Sequence, residues 1–130
     1  MNTRRLWMLL TFVVLPGVMS TATTLAHHST AIYDSNNPVE LRGTVVEWKF
    51  GNPHCLIRLE VAEAGKGTKV WTLEGPNTAG LFRDGWTPST LKPGDKLVVT
   101  VRPLRSGAAG GNYSNVRWAD GTPVNPKSAQ

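Results

Sequence analysis

Cysteine is all but missing: Cys55 is the only one in 130 residues. No internal disulfide can form, so the fold must rest on its core even in an oxidising compartment. The acids number only 9, and Glu47, Glu60, Glu63, Glu74, Asp84 and Asp95 are scattered singly, so no acid/base pair can be picked out. Ser29 and Asp34 flank His28 in a polar segment with nothing to hold a triad. The glycine-rich Arg105–Asn112 piece (RSGAAGGN) lacks the Gly-Lys-Ser/Thr ending of a phosphate-cradling loop. No internal repeat is present, and the one long apolar run, Leu6–Val18, spans 13 residues broken by Pro16-Gly17. A bilayer needs roughly 18 to 20. These absences exclude a disulfide scaffold, a P-loop nucleotide enzyme and a spanning helix, and they favour a binding protein over an enzyme.

What is there begins with an export signal. Arg4 and Arg5 precede the apolar run, and a small-residue stretch ends in Thr24-Leu25-Ala26, close to the A-x-A cleavage pattern. Cleavage there makes residues 1–26 a signal peptide, starts the mature chain at His27, and places it in a periplasm or outside the cell. The run Thr3-Arg4-Arg5-Leu6-Trp7 also fits a twin-arginine signal. With no cysteine at the cleavage point, no lipid anchor is expected. Loss of Arg4 and Arg5 lowers Lys+Arg from 14 to 12 against 9 acids, so the net charge falls from +5 to +3. That surplus is too small to argue for nucleic acid.

The mature chain reads as one small domain. Residues 27–38 form a polar arm, and residues 39–124 carry strand signals at Val39–Phe50, His54–Ala62, Thr68–Gly75, Lys96–Pro103 and Tyr113–Trp118. Asn77–Asp84 reads as a short helix closed by Gly85, Arg105–Asn112 as a flexible loop, and residues 125–130 as a disordered tail. If Gly51-Asn52 is a two-residue hairpin turn, Trp48 faces Cys55, Val46 faces Ile57 and Thr44 faces Leu59, and the apolar faces coincide. Pairing Ala62 with Thr68 places Leu59 opposite Trp71 and Ile57 opposite Leu73. Three strands, a short helix and two strands is the order of a small OB-like Greek-key β-barrel, so the expected class is all-β with one short helix and about five strands. Another small barrel or a sandwich has the same element order.

Several short motifs occur in a recognisable sequence: Ala26-His27-His28-Ser29, Gly43-Thr44-Val45 with Glu47-Trp48, Asn52-Pro53-His54, Glu74-Gly75 with Pro76-Asn77, Gly85-Trp86, and Leu91-Lys92-Pro93-Gly94-Asp95. Through them nearly the whole mature chain resembles the exported bacterial family called domain of unknown function 6152. The resemblance implies export and carries no activity across. Cys55 departs from the pattern, which has an aliphatic residue after Asn-Pro-His, and this weakens any role for the thiol.

His27 and His28 account for two of the three histidines. Cleavage before His27 would put a free amine beside an imidazole, and the two can chelate one metal ion. Nitrogen-rich sites suit copper, with zinc and nickel behind it. A reference pKa of about 7.7 to 8.0 lets a metal displace the amine proton near neutrality. Proteins resembling this arrangement hold copper between an N-terminal histidine and a second imidazole. His54 is the remaining ligand candidate, placed by the register opposite Lys49 and diagonal to Glu74, whose carboxylate would orient the ring. The bland readings are a solvated start for His27 and His28, and a turn-fixing hydrogen bond for His54.

Trp48 and Trp71 fall on apolar faces and read as core. Trp86, after the helix-ending glycine, is the expected exposed contact residue. With Arg105 and Asn112 it outlines an alternative site for an exported protein, peptide or glycan partner, in which the chain would be an assembly module without metal.

Overall fold

The computed structural model describes residues 30–125. Five strands, β1 (Val39–Lys49), β2 (Leu56–Glu63), β3 (Gly67–Glu74), β4 (Lys96–Pro103) and β5 (Gly110–Trp118), close a barrel in the order β1-β2-β3-β5-β4. One short helix, α1 (Thr78–Arg83), lies between β3 and β4. All neighbours are antiparallel except β3 and β5. This is the all-β, OB-like barrel with one helix that the element order implies.

β1 makes closure possible by serving two neighbours. Its first half, Val39–Thr44, pairs with β4, and Gly43–Lys49 pairs with β2. At the overlap the strand must bend close to its neighbour. Gly43 allows it, since a Cβ there would stand 2.4 Å from the Glu60 carbonyl oxygen and 2.8 Å from Leu59 Cγ. The barrel is filled by Val45, Ile57, Leu59, Leu73, Leu97, Val99 and Val101, all at most 2% exposed.

The β2–β3 register is the expected one, with Ala62 opposite Thr68, Leu59 opposite Trp71 and Ile57 opposite Leu73. The β1–β2 register is not. Trp48 faces Ile57 rather than Cys55, and Val45 faces Leu59 in place of Thr44. Two causes combine. Pro53 has no N–H to give a ladder, and Asn52 Oδ1 instead accepts from Thr78 N and Oγ1, so the connection runs Phe50–Cys55, with Asn52-Pro53 cis. A bulge between Val45 and Glu47 then adds a residue to β1, which turns Val45 into the core (2% exposed) and Val46 outward (41%).

Helix α1 begins where Asn77 Oδ1 accepts from Gly80 N at 2.8 Å. It ends in a Schellman motif: Gly85, at φ 87°, donates to Phe82 O, and Trp86 N donates to Leu81 O. That motif folds Trp86 back over the helix's apolar side, where it is 5% exposed and 5.6 Å from the Trp48 ring.

The Arg105–Asn112 segment is shorter and tighter than a flexible loop. Gly110, Gly111 and Asn112 belong to β5 and pair with Thr72, Leu73 and Glu74 across the parallel seam. The glycines serve close approach, since a Cβ on Gly111 would lie 2.4 Å from Val101 Cγ1 and 2.5 Å from the Arg102 carbonyl oxygen. At the other end Asn125, expected in a disordered tail, is 7% exposed with its side chain beside Gly85.

Candidate functional site

One end of the barrel gathers a polar cluster around Glu74, the last residue of β3. Backbone hydrogen bonds of Cys55 with Gly75 and Pro76 prolong the β2–β3 ladder past its formal end, which sets His54 next to Glu74. The His54 ring lies with Nδ1 3.1 Å from the Gly75 carbonyl oxygen and Nε2 3.1 Å from Glu74 Oε1. Both neighbours are acceptors, so imidazolium satisfies both and a neutral tautomer only one. The expected His54–Glu74 pairing is therefore present. The expected place opposite Lys49 is not: Leu56 stands there, because His54 precedes the first residue of β2.

The second oxygen of Glu74 holds the N-terminal arm. Tyr33 Oη donates to Oε2 at 2.9 Å. Burial, reinforced by the Glu74 hydrogen bond and charge, pushes the phenol up to about 12. The arm is docked, not loose: Thr30–Ile32 form one 3-10 turn, Tyr33 bridges to Leu104, and Asp34 N donates to Pro103 O. Arg105 clasps it, donating from its backbone N to Ile32 O and from Nε to Ala31 O. The signal that could have shown this is Ile32-Tyr33, the only large apolar and aromatic pair in an otherwise polar arm. On the far side Asn112 Nδ2 donates to the Glu74 carbonyl, and Arg102 Nη2 donates to Asn112 Oδ1.

His27 and His28 lie outside the described residues, as do the cleavage point and residues 126–130. Among the described residues no group of three or more His, Cys, Asp and Glu side chains could hold a metal ion. His54 and Glu74 are brought together as a pair. The three residues of the alternative partner site are all engaged within the chain. Trp86 is buried rather than exposed, Arg105 binds the arm, and Asn112 bridges Glu74 and Arg102. Cys55 is fully buried with its Sγ 3.6 Å from Gly51 O, and burial pushes the thiol up, so it stays protonated and unreactive.

Comparison with known proteins adds a family. The family of unknown function (DUF6152) matches residues 17–114. The chain belongs to this family. Among solved structures, the mitochondrial single-stranded DNA-binding protein Rim1 of S. cerevisiae is similar at a TM-score of 0.47 and 8% identity, over 64% of this chain and 94% of that one. No curated protein matches the sequence. Among the described residues no helix is long and apolar enough to cross a membrane.

Proposed function

We propose that this DUF6152 member is an exported binding protein, periplasmic or secreted, whose ligand is a transition-metal ion, copper foremost. The amine and ring of His27 bind after removal of the signal peptide, with His54 Nε2 and, by position, His28 completing the donor set. It is a binding protein and not an enzyme. The observation that supports this most is the setting of His54. A metal-bound histidine usually gives its other N–H to a carbonyl or carboxylate, and His54 Nδ1 already faces Gly75 O. Binding at Nε2 replaces its contact with Glu74 Oε1, 3.1 Å away, and leaves Gly75 O to hold the ring; a donor set of nitrogens suits copper.

The docked arm supports the same reading. Its anchor is Tyr33, whose hydroxyl is on Glu74 itself. The five residues back to His28 reach at most about 18 Å, whereas a tether counted from Val39 would be about twice as long. The partner-module alternative draws on Trp86, Arg105 and Asn112, whose internal contacts leave it less surface.

Cu(II) titration of protein starting at His27, beside a form with one extra N-terminal residue and the His54→Ala variant, tests the reading. Loss of about tenfold or more in affinity in both altered forms is expected. Equal affinity for the two N-termini rules out the amine as ligand, and unchanged affinity in His54→Ala rules out the ring.

A further inference from the structure

The outer edge of β3 is a second surface, independent of the metal. Along an antiparallel strand the N–H and C=O groups of alternate residues turn to one neighbour, and those of the residues between turn to the other. Gly75 N donates to Cys55 O, whereas Thr72 N donates to Ala109 O. The odd-numbered residues therefore bond to β2, where Lys69, Trp71 and Leu73 stand opposite Val61, Leu59 and Ile57. The even-numbered ones turn towards β5, but β5 reaches only Thr72, Leu73 and Glu74. Thr68 and Val70 are left over. Among the described residues no strand meets their N–H and C=O groups, and Thr68 is exposed and Val70 half-buried.

An open edge of this kind is completed by another extended chain. A second copy of this chain suits it poorly. The two-fold antiparallel register that joins Thr68 of each copy to Val70 of the other is centred on Lys69, and it sets that lysine opposite itself. Like charges directly opposite are destabilising, and lysine on an edge is one of the devices that keep strands from self-pairing. The ion partner of Lys69, Glu63, is 3.9 Å away, the longest ion contact among the described residues. Glu63 and Glu60 both belong to β2, about 4.8 Å farther from the edge. Lys66, exposed, stands in the adjoining turn. An added strand thus meets lysine first and acid behind it.

We propose that the β3 edge takes an extended acidic peptide segment of another protein, added antiparallel. Its backbone bonds to both N–H and both C=O groups of Thr68 and Val70, and a carboxylate side chain between those positions stands opposite Lys69. Val70 and Trp71, half-buried at this edge, supply apolar contact to its neighbours. Backbone bonding gives the affinity and the charge gives the selection.

The test uses metal-free protein starting at His27, so that its outcome is separate from that of the copper reading. The peptide acetyl-Thr-Val-Glu-Val-Thr-amide, with its valines opposite Thr68 and Val70, is titrated and followed by the Thr68 and Val70 amides in nitrogen–proton spectra. Beside it run the same peptide with lysine for glutamate and a form with both valine nitrogens methylated. Saturable shifts centred on Thr68 and Val70 are expected, with about fivefold weaker binding of the lysine peptide and the opposite order in Lys69→Glu. Methylation should abolish binding, since it removes the N–H groups that face the edge. Lys69 is exposed, so Lys69→Glu leaves the fold intact. Absence of saturable shifts, equal binding of the methylated form, or an unchanged preference in Lys69→Glu overturns the proposal. Dimerisation that shifts the same amides with protein concentration alone overturns it in favour of a second copy.

Discussion

Replacing Gly75 by alanine would drive a methyl group into the Tyr113 ring. The ideal Cβ stands 2.0 Å from Cζ and 2.1 Å from Oη, whereas carbon atoms in contact sit at about 3.5–4.0 Å. The ring must therefore retreat by about 1.5 Å, yet Tyr113 is only 6% exposed and packs in the core with Val101 and Val116. Such overpacking costs about 1–3 kcal/mol. For a domain of this size about 2 kcal/mol lowers Tm by about 8–16 °C. Thermal unfolding followed by circular dichroism measures the drop. A double-mutant cycle locates its cause: Tyr113→Leu removes Cζ and Oη, so in that background Gly75→Ala should be nearly neutral, with a coupling energy of about 1–2 kcal/mol. An equal cost in both backgrounds would refute the steric account and leave only the backbone preference of glycine.

The bulge makes neighbouring valines unequal. Val45→Ala should cost about 1.5–3 kcal/mol, whereas Val46→Ala should stay within about 0.5 kcal/mol; denaturant midpoints decide, and the reverse order would mean that β1 has no bulge. For Tyr33, the folded phenol titrates near 12 against an ordinary 10.0. A raised pKa gives stability that is complete below pH 10 and is lost as pH climbs towards about 12. Tyr33→Phe should remove that alkaline loss and, at neutral pH, cost about 1.5 kcal/mol through the hydrogen bond to Glu74. Folded wild-type protein in which both tyrosines ionise at pH 10 would contradict this.

Strand content, the helix and the order of the barrel were legible because alternation and turn chemistry are local. The β2–β3 register was legible too, since the Glu63–Gly67 turn admits one pairing that matches both apolar faces. The β1–β2 register was not. An Asn-Gly-like dipeptide suggested a tight turn, but Asn52 spends its side chain on Thr78, a contact across 26 positions that no local pattern contains. Trp86 was misplaced for a different reason. A helix-ending glycine by itself suggests that the chain leaves into solvent, while the Schellman motif it builds turns the next residue back onto Leu81. That signal was available in the pairing of a large apolar residue after the glycine with Leu81 four positions before it. Of the candidate site, His54 beside Glu74 follows from the β2–β3 register, which holds, whereas its place opposite Lys49 falls with the β1–β2 register. The clasp of Tyr33 was missed, because the arm has no periodicity to read.

The parallel seam has its own consequence. Three residues of β3 meet three of β5 there, while every other pair of strands zips along six or more. Mechanically the wall is a rolled ribbon fastened by a single clasp, and the clasp sits on Glu74, the residue that also grips the arm and faces His54. Any force or ligand that tugs on that carboxylate acts where the roll is most easily unfastened, so occupancy at this end and tightness of the whole cylinder are tied to one side chain.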